Sequence, residues 1–372
     1  MIKVGITGGT GFIGQHLYNT LSLFPNDFEL IPFERTFFED TDKLETFVAS
    51  CDAIVHLAGV NRHTDPEIIY QTNVNRVNQL IAALEKTSSK AHVLFSSSSQ
   101  EERDNVYGKS KKEGREVFAN WATRYGGKFT GLVIPNVFGP FGNPYYNSFI
   151  ATFCHQLTHH EKPVVEVDGI VKLIYVGDLV KLIAQEIKRA TGNHFLVVPH
   201  TTECKVSDVL NLLENYKSNY MDAGVIPPLN NNFEVNLFNT FRCYMPVSTY
   251  FPVKYTRHTD QRGTFVETIR LNVGGQVSFS TTKPGITRGN HFHTRKIERF
   301  AVIKGEALIQ LRKIGTSDVM DFYLSGAEPG YVDMPIWYTH NIKNIGTDEL
   351  YTIFWINEFF DPNDTDTYFE NV

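Results

Sequence analysis

Short apolar runs alternate with longer stretches of helical period over the first two hundred residues. The runs at 3–7, 53–57, 92–96 and 129–135 have the length of strands and are apolar on both faces, as in a parallel sheet covered on both sides. Regular alternation of such runs with helical segments predicts βαβ units and a doubly wound parallel sheet. An amphipathic helix is expected at 205–220, then an irregular, Pro- and Asn-rich connection at 226–232. Beyond about residue 245 the helical period disappears. Runs at 276–281, 301–303, 307–311 and 351–356 are separated by turns containing Gly, Pro or Asp, which predicts a small all-β barrel or jelly roll.

The chain has 372 residues, more than one hydrophobic core usually serves, so the change of pattern reads as a domain boundary: residues 1–245 and 246–372. A net charge of −6 argues against a broad nucleic-acid footprint, and any phosphate binding is expected to be local. No apolar run approaches the ~20 residues that span a bilayer, and the first residues already read as a strand; a cytoplasmic protein with no membrane partner is expected. Cys51, Cys154, Cys204 and Cys243 are scattered and form no Cys-x-x-Cys pair, so reduced thiols are expected. His155, His159 and His160 read as surface residues.

The C-terminal ends of the predicted strands carry the chemistry, as open α/β sheets require. After the first strand, Thr7-Gly8-Gly9-Thr10-Gly11-Phe12-Ile13-Gly14 places glycines where a tight turn lets a pyrophosphate approach backbone N–H groups at a helix N-terminus. Tyr107 and Lys111 stand four apart and share a face of a helix. A free phenol has a pKa of about 10, and an adjacent ammonium that favours phenolate brings it into use near neutrality. The serines Ser96, Ser97, Ser98 and Ser99 end a buried strand and can supply a hydroxyl to a substrate carbonyl.

These residues, with His56-Leu57-Ala58-Gly59, Asn136-Val137-Phe138-Gly139-Pro140 and Tyr175-Val176-Gly177-Asp178, resemble the extended short-chain dehydrogenase/reductase family over about the first 240 residues. The resemblance implies a Rossmann-type sheet, with Tyr107 as acid/base, Lys111 on the nicotinamide ribose and one serine, Ser98 by preference among Ser96 to Ser99, orienting the carbonyl. It places the dinucleotide on Gly8, Thr10, Gly11, Phe12, Ile13, Gly14, Leu57, Ala58 and Gly59, beside Tyr107 and Lys111. At the end of the second strand Arg35 offers a guanidinium for a 2'-phosphate, which favours NADPH, while Glu34 keeps NAD open.

In the second half, His291 and His293 are two apart and so share a strand face; Glu298 and His340 follow. The spacing from Gly285 to Gly305 resembles the first motif of the cupin superfamily. The stretch from Pro335 through His340 to Asn344 resembles the second, with Trp337 where glycine is usual. Three imidazoles and a carboxylate suit zinc, manganese or iron(II), and zinc is the expected divalent metal. Asp260-Gln261-Arg262-Gly263 and Arg288-Gly289-Asn290-His291 also resemble the cupin-fold deoxysugar 3,5-epimerases, in which that histidine is a metal-free base. A metal-assisted epimerisation, with Lys296 or Tyr338 moving the proton, reconciles the two.

An extended short-chain dehydrogenase/reductase fused to a cupin resembles the bifunctional capsular polysaccharide synthesis enzymes. That resemblance implies a UDP-activated 4-keto-6-deoxy amino sugar as substrate, C3 epimerisation in the cupin, and NADPH reduction at C4 in a step towards UDP-N-acetyl-L-fucosamine. Exposed sheet edges favour pairing, so a homodimer is expected. Two other readings stay open: an NADPH ketoreductase with a structural, dimerising cupin, and a dehydratase or epimerase that keeps and recycles its cofactor, for which Glu101 and Glu102 after the serine run are the relevant acids.

Overall fold

A computed structural model describes all of residues 1–372. The first half builds β1 (Ile2–Thr7), α1 (Phe12–Ser22), β2 (Phe28–Ile31), α2 (Thr41–Ala49), β3 (Ala53–His56), α3 (Pro66–Lys86), β4 (His92–Ser98), α4 (Val106–Tyr125), β5 (Lys128–Ile134) and β6 (Asn136–Phe138). Helix α5 (Phe149–Thr158), strand β7 (Ile170–Tyr175), helix α6 (Val176–Arg189), strand β8 (His194–Val197) and strand β9 (Thr202–Lys205) follow. Six strands form one sheet in the order β2-β1-β3-β4-β5-β8, and every pair in it is parallel. The strand order reverses beside β1, which opens a crevice between the carboxyl ends of β1 and β3.

Strand β4 runs two residues further than its apolar pattern foretells. Ser97 and Ser98 keep pairing with Val133 and Ile134. Ile54, Val93, Phe95, Phe118 and Phe129 form the core between this sheet and its helices. At about 1.5–3 kcal/mol for each large apolar side chain removed from water, that burial is what holds helices α3 and α4 against the strands.

The remaining chain folds as a second compact unit made of residues 139–169 and 205–372. Helices α7 (Val206–Tyr216) and α8 (Asn232–Arg242) belong to it, and α9 (Val247–Tyr250) precedes the strands. The expected helix at 205–220 ends its regular turns at Tyr216 and continues as a π-helical turn over Lys217–Asp222. The expected boundary at residue 245 therefore falls inside the second unit. Its physical reason is a buried polar network on the outside of the barrel. Tyr220 Oη donates to Asp333 (2.6 Å), Arg299 clamps the same carboxylate at 2.7 and 2.9 Å, and Arg242 Nη2 donates to the Met334 carbonyl at 2.9 Å. Residues 139–169 join through Thr158 Oγ1 to the Tyr244 carbonyl (3.0 Å) and Tyr244 Oη to the Gly142 carbonyl (2.7 Å).

Twelve strands follow: β10 (Val253–Lys254), β11 (Arg257–Asp260), β12 (Gly263–Val266), β13 (Gln276–Thr282), β14 (Thr287–Phe292), β15 (Glu298–Lys304), β16 (Glu306–Lys313), β17 (Val319–Ser325), β18 (Gly330–Met334), β19 (Tyr338–Asn344), β20 (Leu350–Ile356) and β21 (Tyr368–Phe369). Two five-stranded sheets, β10-β18-β15-β20-β13 and β17-β16-β19-β14-β21, share a core of Ala301, Val302, Ile309, Leu311, Phe322, Val332 and Leu350, which makes the expected jelly roll. Strands β11 and β12 pair only with each other. No helix is long and apolar enough to cross a membrane.

Candidate functional site

In the first unit, β1 delivers the chain into the glycine turn. Gly8 has φ +79°, and a Cβ there would lie 2.8 Å from the Ala58 nitrogen. A Cβ on Gly14 would lie 2.2 Å from the Gly8 carbonyl oxygen, so only glycine lets α1 start this close to the strand. Gly11 is the N-cap of α1, with no capping side chain and no acid in the first turn. The helix thus presents bare N–H groups and its positive end to the crevice, the requirement for a pyrophosphate. Leu57 N donates to the Thr7 carbonyl at 3.0 Å and Ala58 N to Thr7 Oγ1 at 3.4 Å, which seats the second turn beside the first.

Helix α4 starts at Asn105, whose side chain caps Gly108 N at 2.7 Å. A Cβ on Gly108 would come within 2.0 Å of the Gln100 carbonyl, so this glycine draws Tyr107 close to the end of β4. One turn on, Lys111 is 4 % exposed, with its ammonium 5.8 Å from the Tyr107 ring centroid. It donates to the Ser96 carbonyl at 2.7 Å. A Cβ on Gly59 would sit 3.4 Å from Lys111 Nζ, so the β3 turn, the lysine and the tyrosine meet. Burial pulls the Lys111 ammonium down to about 8; Glu101 opposes that shift and Arg76 adds to it.

Their hydrogen-bond partners sort the serines. Ser96 Oγ donates to the His56 carbonyl at 3.2 Å and Ser97 Oγ to Glu101, whose carboxylate is clamped by Arg115 at 2.8–3.1 Å. Both hydroxyls are buried. Ser98 is half-buried, and its oxygen accepts from Gln100 N at 3.2 Å, which leaves the hydroxyl proton for a ligand. Glu101 is thus tied to Ser97 and Arg115.

Arg35 is exposed at the start of a 3₁₀ turn after β2. Glu34 beside it is exposed too and accepts from Thr36 Oγ1 at 3.4 Å. Sequence reasoning missed Arg76 on α3. Its guanidinium lies 5.6 Å from the Phe38 ring centroid and has no ion pair. Burial and the charge of Arg35 both lower its pKa. Nothing in the local pattern of α3 marks Arg76, because the neighbour that gives it meaning is forty residues away.

In the second unit, a β-bulge between Gly289 and His291 re-aims β14. Gly289 has φ +100°, and a Cβ there would meet the His340 carbonyl at 2.8 Å, so glycine permits the close approach that sets His291 opposite His340. Trp337, at the position where the cupin motif usually has glycine, does adopt φ +61°. That conformation costs about 1–2 kcal/mol for a residue with a Cβ. Stacking on Phe292 (5.5 Å) and a bond from its N–H to the His293 carbonyl (2.8 Å) offset it.

The ligand atoms of His291, His293, Glu298 and His340 all lie within 4.8 Å of one another. His293 Nε2 and His340 Nε2 approach Glu298 Oε2 at 3.0 and 3.2 Å, yet all three atoms are buried without an aligned hydrogen bond. Ligands at ~2.0–2.1 Å from a tetrahedral cation would stand about 3.3 Å apart, close to the spacing of His293 and His340 from Glu298, so these donors suit a divalent metal with His291 beside them. Burial, His340 and His293 pull His291 down to about 4, a neutral imidazole with a free lone pair at neutral pH. Burial works against the Glu298 carboxylate, but the two imidazoles outweigh it and hold it well below the usual range. Three of the four ligands are buried; His291 is half-buried and marks the side open to solvent.

Of the two side chains expected to move the C3 proton, Lys296 donates through Nζ to the Thr365 carbonyl at 2.7 Å. Arg262 pairs with Asp260 at 2.6 Å across the exposed turn of the β11–β12 hairpin. Tyr338 lies on β19 two residues before His340, where burial pushes its phenol up.

Residues 4–197 match the NAD dependent epimerase/dehydratase family and residues 258–368 the polysaccharide biosynthesis C-terminal domain. A UDP-2-acetamido-2,6-beta-L-arabino-hexul-4-ose reductase of Pseudomonas aeruginosa is 32% identical over 369 residues, 99% of this chain and 98% of that protein. The crystal structure of the capsular polysaccharide assembling protein CapF from Staphylococcus aureus matches with TM-score 0.64 and 35% identity over the full length of both chains. The structure of RMD from Pseudomonas aeruginosa, complexed with NADPH, shares the fold of the first half at 20% identity, TM-score 0.54, over 59% of this chain and 83% of that one. With both halves matched in order and over their whole length, the chain belongs to the NAD dependent epimerase/dehydratase family, in the CapF group that carries a polysaccharide biosynthesis C-terminal domain.

Proposed function

We propose that this chain is a bifunctional enzyme of capsule or O-antigen synthesis acting on a UDP-2-acetamido-2,6-dideoxy-hexos-4-ulose. The barrel inverts C3, and the first unit then reduces the C4 ketone to give UDP-2-acetamido-2,6-dideoxy-L-talose. Likeness over the whole chain to the Pseudomonas aeruginosa UDP-2-acetamido-2,6-beta-L-arabino-hexul-4-ose reductase supports the substrate class. The observation that carries the bifunctional reading is the convergence of three buried, unbonded ligand atoms, His293 Nε2, Glu298 Oε2 and His340 Nε2, in the barrel. The order follows from chemistry: the C3 proton is acidic only while C4 is a ketone.

For the reduction, Ser98 Oγ and Tyr107 Oη bind the C4 carbonyl oxygen, and Tyr107 gives it a proton as the carbonyl carbon is reduced. Lys111, still cationic at neutral pH although burial pulls it down to about 8, stabilises the phenolate that Tyr107 becomes. NADPH, when bound, supplies the hydride. For the epimerisation, His291, His293, Glu298 and His340 would hold a divalent cation, zinc by expectation, which would polarise the C4 carbonyl and lower the pKa of the C3 proton; Lys296 or Tyr338 would take that proton from one face of the sugar, and a solvent-derived proton would return on the other. Of the four ligands, only His291 is not fully buried, so the cluster opens towards solvent there.

Two expectations arise here. The kcat/KM for NADPH-dependent reduction should fall above about pH 8, where Lys111 loses its charge; the free-enzyme pH–rate profile reads this directly. An inflection near pH 10 would mean that Lys111 is not the controlling group. Arg35 and Arg76 pair the adenosine 2'-phosphate, and each charge-assisted contact contributes about 1.5–3 kcal/mol. Replacing either by Ala should raise KM for NADPH about 10-fold or more and leave KM for NADH within twofold. Equal effects on the two cofactors would remove the 2'-phosphate role.

The test of the whole reading is the product formed from the 4-keto-6-deoxy UDP-sugar and NADPH in deuterium oxide. One carbon-bound deuterium at an inverted C3, with one NADPH consumed per sugar, is expected. Reduced product without label at C3 would leave a ketoreductase with a structural barrel. No net NADPH consumption would leave an enzyme that recycles its cofactor.

A further inference from the structure

The last segment of the chain returns to the metal-ligand cluster. Strand β21 pairs with β14, placing Phe369 opposite His291 and Tyr368 opposite Phe292. Just before it, Asp366 is 4 % exposed and has φ +42°, a left-handed conformation uncommon outside glycine. Its carbonyl oxygen accepts from His293 Nδ1 at 2.5 Å. Its carboxylate accepts from Thr294 N (3.1 and 3.2 Å), Thr294 Oγ1 (2.6 Å), Arg295 N (3.0 Å) and Lys296 N (3.0 Å).

Those partners define what the residue does. Thr294 to Lys296 are three successive residues of the short link between β14, which leads to His291 and His293, and β15, which begins at Glu298. One carboxylate gathers all three backbone N–H groups of that link, so the two ligand-bearing strands are set at a fixed distance. The bond to Nδ1 also fixes the His293 tautomer: Nδ1 carries the proton, and Nε2 turns its lone pair towards Glu298 and His340. Lys296 Nζ to the Thr365 carbonyl (2.7 Å) and Arg295 to the Asp364 carboxylate (2.9 Å) hold the strap on either side.

We propose that Asp366 is a positioning residue of the barrel's metal site, holding His293 and the 294–296 link in the geometry that binds the cation. The proposal rests on the reading of His291, His293, Glu298 and His340 as metal ligands. The carbonyl that orients His293 is backbone and survives substitution; losing the carboxylate releases the 294–296 link between His293 and Glu298, and loss of such an outer-shell support lowers metal affinity about 10–100-fold in general, the loss expected here.

The test is cobalt(II) titration of the metal-stripped full chain, followed by visible absorption, with circular dichroism and thermal melting of the metal-free protein alongside. Asp366→Ala should weaken cobalt binding about 10–100-fold, Asp366→Asn by less, and Asp364→Asn, on the exposed side of the strap, by under twofold. The ligand-field bands of the loaded Asp366→Ala protein should also shift, which a general loss of stability would not produce. Should Asp366→Ala not fold, Thr294→Val removes the 2.6 Å hydroxyl contact alone and should weaken binding at least threefold. Cobalt affinity and spectrum equal to wild type in a folded Asp366→Ala, or in Thr294→Val as the fallback, overturns the proposal. Failure of the wild type itself to bind cobalt overturns the metal-site reading instead.

Discussion

Tyr107→Phe is expected to lower C4 reduction by about 10²–10⁴-fold, the usual worth of a positioned general acid, while deuterium still enters C3 of the unreduced ketone. The substitution removes one oxygen from a half-buried side chain and keeps the ring beside the Lys111 ammonium, so helix α4 and its Asn105 cap are untouched. NADPH affinity should stay close to wild type, because the glycine turn and Leu57-Ala58-Gly59 are intact. Stopped-flow oxidation of NADPH gives the reduction rate, and proton NMR of the recovered ketone gives the exchange. If exchange at C3 stops together with reduction, the two reactions share the Tyr107 site and the barrel is not where inversion happens. If reduction survives, Tyr107 is not the acid, and the half-exposed hydroxyl of Ser98 is the next group to consider.

What the sequence made legible and what it hid divide by range. Tyr107 and Lys111 were readable because four residues on a helix is a fixed geometry, and the observed 5.8 Å between ammonium and ring follows from it. The glycines at 8, 11 and 14 were readable for the same reason: close approach of backbone needs a missing Cβ wherever it occurs. His291, His293, Glu298 and His340 were readable as a set through the resemblance to the two cupin motifs, and strand alternation related only the first two; the bulge at Gly289 that aims His291 was not readable. Arg76 and Asp366 were hidden. Each acquires its role from a partner roughly forty or seventy residues away, Arg35 for one and the Thr294–Lys296 amides for the other, and no periodicity encodes such a pairing.

The change of pattern and the compact unit do not begin at the same residue. A switch from helical to alternating pattern marks where the barrel strands begin, but not where its compact unit does. Helices α7 and α8 look like the end of an α/β domain, and two polar side chains say otherwise: Tyr220, in the π-helical turn after α7, reaches Asp333, and Arg242, on α8, reaches the Met334 carbonyl on the barrel. A buried Arg299–Asp333 pair needs those extra partners, since desolvating two charges is repaid only when the remaining donors and acceptors are bonded. Cutting the chain at 245 would strip Tyr220 and Arg242 from that network. The same holds for residues 139–169, which the β6 to β7 crossover carries into the second unit.

Glu298→Gln is the sharper probe of the barrel chemistry. It preserves volume at a buried site, removes the negative charge that His293 and His340 face at 3.0 and 3.2 Å, and leaves all three imidazoles in place. If a cation holds the ketone, losing this carboxylate removes both affinity and charge compensation; at several kcal/mol of transition-state stabilisation, C3 exchange should fall about a thousandfold. Reduction at C4 of sugar already inverted at C3 should continue at the wild-type rate. His291→Ala should do the same, so the pair of variants separates two chemistries that share a histidine. A metal-free base needs only the lone pair of His291, which its low pKa leaves free at neutral pH. Exchange that survives Glu298→Gln and vanishes in His291→Ala would therefore make His291 a base. Exchange lost in both, and recovered in neither by excess zinc, is what a four-ligand cation site demands, because the carboxylate contributes charge that no imidazole can replace.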